Sequence, residues 1–412
     1  MASVGVLQIA NYVVPLLVIP FVTRALGKEA FGAVSYAQNI VVYLTVLVTF
    51  GYEYSATQDI VLNRTSPDRM RIIFWTVVRS RLKLFAVSLL LLVGISFFVD
   101  RIQESPLLYM AAALINLGVA VYPTWFFQGI EEMGKMAVAG FFIKAVGGVL
   151  IILLVTTPAD GLLYLLLLSL SYVVVGFGTL WYVVKHYDMT FPEHSDRVLS
   201  RNVVRRGWPI FLNTFFNALY TSVGITILGW FVDDAGLGIY TGAFRIIMAI
   251  MVVANTPINL GVFPVISRKW DSSYAEGWLF FRKALLLAAA GGILLTIFTY
   301  LFAPLLVKIL LGGDFTESVS VLKRMALLPP LVITTSLLTV QGLYGLRKQN
   351  YAPYISATVA VIGLPVTIWF ITLWGITGAV YAWIISLVCE MIISSTILLT
   401  LHRRSLTANS NQ

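Results

Sequence analysis

Apolar residues gather in a first set of runs at Val4 to Thr23, Phe31 to Phe50, Leu82 to Val99, Leu107 to Phe127, Met136 to Val155 and Leu162 to Val184. A second set covers Pro209 to Val232, Ile239 to Leu260, Ala284 to Phe302, Met325 to Gly345, Tyr351 to Leu373 and Gly378 to Leu401. Each run is about 16 to 24 residues long, and about 20 helical residues cross the hydrocarbon core of a bilayer. The pattern predicts an all-α integral membrane protein with about twelve transmembrane helices. The short third run is lengthened by Ile72 to Val78, and its helix is expected to project past Arg79, Arg81 and Lys83 into water. The first run reads as a retained helix and not a cleavable signal peptide, because it lacks a basic n-region and continues into Arg24 and Gly27.

Composition strengthens this reading. Of 412 residues, 59% are hydrophobic and 11% are charged, against roughly 25% charged in soluble domains, and mean hydropathy is +0.88. No sizeable soluble domain fits between the runs. With the N-terminus inside, about twenty lysines and arginines fall in cytoplasmic loops, among them Arg64, Arg69, Arg71, Arg79, Arg81, Arg205, Arg206, Arg268, Lys269, Arg282 and Lys283. The outside then holds Arg24, Lys28, Arg101, Lys308, Lys323 and Arg324, so both termini are expected in the cytoplasm. The net charge of +9 is accounted for by this bias, and nucleic acid is not an expected partner.

The longest polar connection, Lys185 to Trp208, divides the runs into two sets of six. Three pairs of segments then repeat in order, at an offset of about 206 residues for the first. FGAVSYAQNI at Phe31 parallels LGIYTGAFRI at Leu237, and SATQDIVLNR ending at Arg64 parallels NLGVFPVISR ending at Arg268. QGIEEMGK from Gln128 parallels QGLYGLRK from Gln341. The expected organisation is a six-helix bundle over 1–184, a cytoplasmic linker over 185–208, a second bundle over 209–401 and a cytoplasmic tail over 402–412. An even number of helices per half gives both halves one orientation, as in transporters that rock two bundles around a central site.

Polar groups inside the runs are the candidate functional residues. Lys144 and Arg245 lie within apolar segments, with Arg24 at a helix mouth. A basic side chain at bilayer depth costs roughly 2.5 to 3.5 kcal/mol on the insertion scale and therefore faces a polar interior, which points to an anion pathway. Ser35, Gln38, Asn39 and Thr45 recur at helical spacing, as do Asn213, Asn217 and Thr221. Such stripes serve either as interhelical hydrogen bonds or as the wall of a wet cavity, and the alignment of Arg245 with Asn39 across the repeat favours the wall. Glu390, inside the last run, is either a coupling-proton site or the partner of a basic group. Pro15, Pro20, Pro123, Pro257, Pro264, Pro329, Pro330 and Pro365 are expected to interrupt or kink their helices.

Soluble-style chemistry is nearly absent. His186, His194 and His402 lie in loops or the tail without metal-ligand spacing, no P-loop pattern occurs, and Cys389 is the single cysteine, read as a packing residue. The adjacent acids Glu131 with Glu132 and Asp233 with Asp234 read as solvated loop surface. No cofactor and no catalytic residue is expected.

The segments LQIANYVVPLLVIPFVTRALGKEAFG, SATQDIVLNR, YPTWFFQGIEEM, YTGAFRI and the QG segment at Gln341 resemble polysaccharide repeat-unit flippases of the Wzx type, in the multidrug/oligosaccharidyl-lipid/polysaccharide exporter superfamily. The resemblance runs over nearly the whole chain. It implies a V-shaped pair of six-helix bundles of the MATE/MOP kind, in a bacterial inner membrane. It also implies transfer of an undecaprenyl-pyrophosphate-linked oligosaccharide, such as an O-antigen unit of lipopolysaccharide, to the outer leaflet by alternating access. On that footing Arg24, Lys144 and Arg245 would bind the pyrophosphate, with Asn39, Asn213 and Asn217 as sugar or headgroup contacts. Coupling to a proton or sodium ion, and partnership with a polysaccharide polymerase and chain-length proteins, would accompany that role.

Two alternatives are weighed against it. A multidrug antiporter of the same superfamily wants carboxylates in its cavity for cationic drugs, whereas the intramembrane excess here is basic. A membrane-embedded glycosyltransferase or polymerase generally carries a large extramembrane loop, and the longest connection here is short.

Overall fold

A computed structural model of the chain describes residues 2–192 and 197–410; His194 lies outside them. Among the described residues there is no β-strand. The chain forms two compact units, Met1–Ala218 and Leu219–Gln412. The first is built from α1 (Ala2–Thr49), α2 (Tyr52–Leu62), α3 (Pro67–Ser96), α4 (Asp100–Glu104), α5 (Pro106–Val121), α6 (Thr124–Gly129), α7 (Met133–Leu154), α8 (Gly161–His186) and the start of α9 (Arg197–Leu228). The second holds the end of α9, then α10 (Asp234–Ser272), α11 (Tyr274–Leu310), α12 (Ser318–Met325), α13 (Leu328–Ser336) and α14 (Ala352–Ser410), with a π-helical stretch over Leu337–Tyr344.

The apolar runs lie mostly on helix. Among the described residues, 8 helical stretches are long and apolar enough to cross a membrane, and two of them, Leu17–Leu62 and Ala352–Arg403, each hold more than one run. The reason is a glycine elbow. Gly27 in α1 has φ 67° and Gly375 in α14 has φ 52°, in the left-handed region that a side chain disfavours, so each helix changes direction there without a loop. The chain is a multi-pass all-α membrane protein. Side chains such as Phe98, Leu287 and Leu294 stand exposed on its flanks, where lipid replaces water as the solvent.

Of the two expected effects, interruption or a kink, most of these prolines do not end their helices. α10 runs on through Pro257 and Pro264, and α14 through Pro365. Pro329 and Pro330 begin α13, where a missing N–H leaves no helical bond unmade. Pro123 also coincides with a break, because Tyr122 turns extended between α5 and α6.

Small residues set the closest helix packing. A Cβ on Gly118 of α5 would lie 2.4 Å from the Tyr172 carbonyl, and one on Gly176 of α8 would lie 2.4 Å from the Gly118 carbonyl. Neither methyl fits, so α5 and α8 meet backbone to backbone, which is how membrane helices gain contact when no hydrophobic drive separates lipid from leucine. In the second unit Gly292 of α11 meets Pro330 of α13 in the same manner, with 2.5 Å to the proline Cα.

Candidate functional site

The first unit contains Arg24, Asn39, Lys144, Asn213 and Asn217; the second contains Arg245 and Glu390. Arg24 is exposed on the first arm of α1, one turn before the Gly27 elbow. Asn39 is buried on the second arm together with Ser35. On the same stripe Thr45 donates a 2.6 Å hydrogen bond to Asn116 of α5, so this part of the stripe works as interhelical attachment. Asn213 is half-buried and Asn217 exposed on α9.

Lys144 is half-buried on α7, with its ammonium 5.2 Å from the centroid of the Tyr172 ring on α8. The face of a phenol ring is negative, and it stabilises a cation without neutralising it. Arg245 is half-buried on α10 beside Phe244, whose ring stacks between Tyr240 and Trp383. Glu390 of α14 accepts a 3.2 Å hydrogen bond from the Tyr220 hydroxyl of α9. That neutral donor stands where a basic partner was one expectation.

A second constellation escaped sequence reasoning. Arg81 is not projected into water: its side chain is 1% exposed, and its guanidinium meets Glu53 at 2.7 Å and the Tyr122 carbonyl at 3.2 Å. Thr124 donates to the other Glu53 oxygen. Arg79 and Lys83, on the other faces of α3, are exposed as expected. Next along α2, buried Asp59 pairs with Arg206 of α9. Arg64 donates to the Gly129 carbonyl at 2.7 Å and pairs with Glu131 at 2.8 Å. Arg71 pairs with Asp188. Glu132 accepts a 2.7 Å hydrogen bond from Tyr187; burial first, and that carboxylate second, hold the Tyr187 phenol protonated well above its ordinary range. Glu131 and Glu132 are thus partnered and not merely solvated, while Asp233 caps α10 by accepting from the Gly236 N–H.

These links join α2, α3, α6, α8 and α9 at one end of the first unit. The available signal was the recurrence of acids in α2 (Glu53, Asp59) within reach of the basic end of α3 and the linker. Counting basic residues for topology hides it, because that rule says nothing of which face each side chain occupies. Among the described residues no group of three or more His, Cys, Asp or Glu is placed to hold a metal ion.

Residues 1–270 match the family model described as "Polysaccharide biosynthesis protein". The chain is 27% identical over 405 residues to an Escherichia coli (strain K12) protein described as "Putative O-antigen transporter", spanning 98% of this chain and 96% of that one. A Shigella dysenteriae protein of the same description is 26% identical, over 86% and 88% of the two chains. Among solved structures, an inward-facing multidrug resistance MATE family transporter of the MOP superfamily shares the fold with TM-score 0.67 at 17% identity, covering 96% of each chain. The lipid II flippase MurJ in an inward closed conformation gives TM-score 0.72 at 12% identity, covering 94% of this chain and 86% of its own.

Proposed function

The chain belongs to the polysaccharide biosynthesis protein family, and we propose that it is a flippase for an undecaprenyl-pyrophosphate-linked oligosaccharide, an O-antigen or similar repeat unit, in a bacterial inner membrane. The observation that carries this reading is the near end-to-end similarity to proteins described as O-antigen transporters. It is a transporter and not an enzyme: the reaction needs passage, with no bond made or broken. The distribution of lysine and arginine supports a topology with both termini in the cytoplasm.

The pyrophosphate is a compact polyanion, and Arg24, Lys144 and Arg245 are its proposed contacts. Arginine offers a planar fork matched to phosphate oxygens, and lysine a mobile point charge. Dispersed cations suit a carrier, because a headgroup held by one dense cluster would not leave. Asn39, Asn213 and Asn217 supply neutral hydrogen-bonding groups for sugar hydroxyls. Alternating access then exposes these residues to one side of the membrane at a time. Glu390 is assigned to a coupling proton, with the Tyr220 hydroxyl as its resting donor.

The test is complementation of surface-polysaccharide assembly in a flippase-null strain by wild type and by Arg24→Ala, Lys144→Ala and Arg245→Ala, with membrane levels measured. Loss of polymer and accumulation of cytoplasm-facing lipid-linked units at normal protein levels supports the assignment; full activity in all three overturns the cation path. Glu390→Gln is expected to remove the pH dependence of transport at unchanged expression, and an unaltered pH profile removes the proton role.

A further inference from the structure

The second unit contains an apolar groove of about 620 Å³ that the transport reading has not used. Its walls are Ala254 and Ile258 of α10, Ala284, Ala288 and Gly291 of α11, and Ile333 of α13. The groove exists because α11 touches α13 at Gly292, against Pro330, and opens immediately beside that contact: a Cβ on Gly291 would meet nothing within 4 Å. Along α11 the lining extends from Phe280 to Leu295. Fifteen helical steps cover roughly 22 Å, about one and a half leaflets of a hydrocarbon core about 30 Å thick.

Among the residues that line the groove, Lys283 alone is charged or polar, and it lies one turn from the end marked by Phe280. It is exposed, as is the adjacent Arg282. The neighbouring Lys269, paired with Glu276 at 3.6 Å, has its ammonium 5.7 Å from the ring of Phe280, another lining residue, so the free positive charge at the mouth is that of Arg282 and Lys283. The groove therefore has an alkyl trough and a cationic mouth, the mouth on the side that the basic loops place in the cytoplasm. A sugar finds no hydrogen-bonding wall in the trough. A chain with an anionic head matches both parts, since a lysine stem lies along apolar surface while its ammonium stays at the headgroup level.

We propose that this groove seats the isoprenoid chain of a polyprenyl phosphate carrier, with the carrier's phosphate at Lys283 before the headgroup passes to Arg24, Lys144 and Arg245. The proposal rests on the flippase reading and names how that substrate's lipid part is held. The choice of a single-chain lipid follows from the volume, which over that length leaves room for one hydrocarbon chain. A glycerophospholipid brings two chains and would leave one outside.

The full-length protein in phosphatidylcholine nanodiscs, labelled with a diazirine-bearing polyprenyl phosphate and mapped by mass spectrometry, tests this. Crosslinks are expected on α11 and α13 beside Gly291. Gly291→Trp fills the trough and is expected to cut labelling there about tenfold, and Lys283→Gln about threefold. Gly94→Leu, at another open glycine on α3, controls for a general effect of bulk and leaves labelling unchanged. Unlabelled undecaprenyl phosphate competes; phosphatidylglycerol and inorganic phosphate do not.

Equal labelling of wild type and of folded Gly291→Trp overturns the proposal, and so does competition by phosphatidylglycerol as strong as that by undecaprenyl phosphate. If Gly291→Trp does not fold, Lys283→Gln and the competition series decide alone. Transport of lipid-linked sugar is measured in parallel on wild type. Transport without groove labelling overturns only the groove, and groove labelling without transport overturns only the flippase reading.

Discussion

The two QG segments show the same backbone need met by different chemistry. In the first unit the Gly129 carbonyl accepts from the Arg64 guanidinium, near the end of α2. In the second the Gln341 carbonyl accepts from the Trp270 indole at 3.3 Å, near the end of α10. Each QG glycine is also pressed by an aliphatic side chain, Ile60 on Gly129 and Leu398 on Gly342. The surroundings diverge from there. Arg64 belongs to a series of ion pairs that includes Glu53 with Arg81, Asp59 with Arg206 and Arg71 with Asp188. Trp270 sits among rings: Tyr274, Trp278 and Phe281 pack on it, and His402 stacks on Trp278 at 3.9 Å.

The difference teaches where a charge is tolerated. A buried pair is costly to assemble, and its energy lies mainly in what happens when one partner is lost. A ring cluster gains continuously with each contact. The end of the first unit therefore adds buried ion pairs to its own rings, Phe74, Trp125, Phe126 and Phe127, whereas the pairs beside Trp270, Lys269 with Glu276 and Arg347 with Asp271, lie at the exposed surface.

The largest effect expected from this contrast is at Trp270. Trp270→Ala removes a buried ring and empties the space against Gly277 and Gly345, at a cost of about 4 kcal/mol of stability. Thermal unfolding of the solubilised protein reads it; a loss below that of exposed Trp230→Ala would remove the ring cluster as a stabilising element. Next comes Arg81→Leu, expected to cost about 3 kcal/mol because Glu53 keeps its charge without its main partner. Restoring a match with Glu53→Leu in the same chain recovers most of that loss. A double variant as unstable as Arg81→Leu would mean that Arg81 acts by packing alone.

The runs of apolar residues were legible because a bilayer imposes composition over a whole helix, and nothing finer than a count is needed to find them. Lys144 and Arg245, picked out as basic residues within apolar runs, are half-buried on α7 and α10. Arg81 was not legible in this way. Its partner Glu53 is 28 residues earlier on another helix, so its burial depends on how α2 and α3 meet, a tertiary fact with no local pattern. The elbows at Gly27 and Gly375 were likewise hidden, because a glycine inside or beside an apolar run reads alike whether its φ is helical or positive. The groove beside Gly291 depends on a gap between helices, which periodicity does not encode.

Two smaller substitutions sharpen the comparison at the QG carbonyls themselves. Trp270→Phe keeps a ring and deletes the N–H, and is expected to cost about 1 kcal/mol. The smallest effect concerns the exposed pair of Arg64 with Glu131, whose acid is 77% exposed. A double-mutant cycle over Arg64→Ala and Glu131→Ala is expected to give a coupling of about 0.5 kcal/mol that fades as salt rises. Arg64→Ala alone should cost more than that coupling, since it also removes the donor to the Gly129 carbonyl. A coupling as large as that between Glu53 and Arg81 would show that exposure does not separate the two pairs. In that case the end of the first unit would act as one electrostatic network, and its distinction from the ring cluster would rest on charge as a whole and no longer on burial.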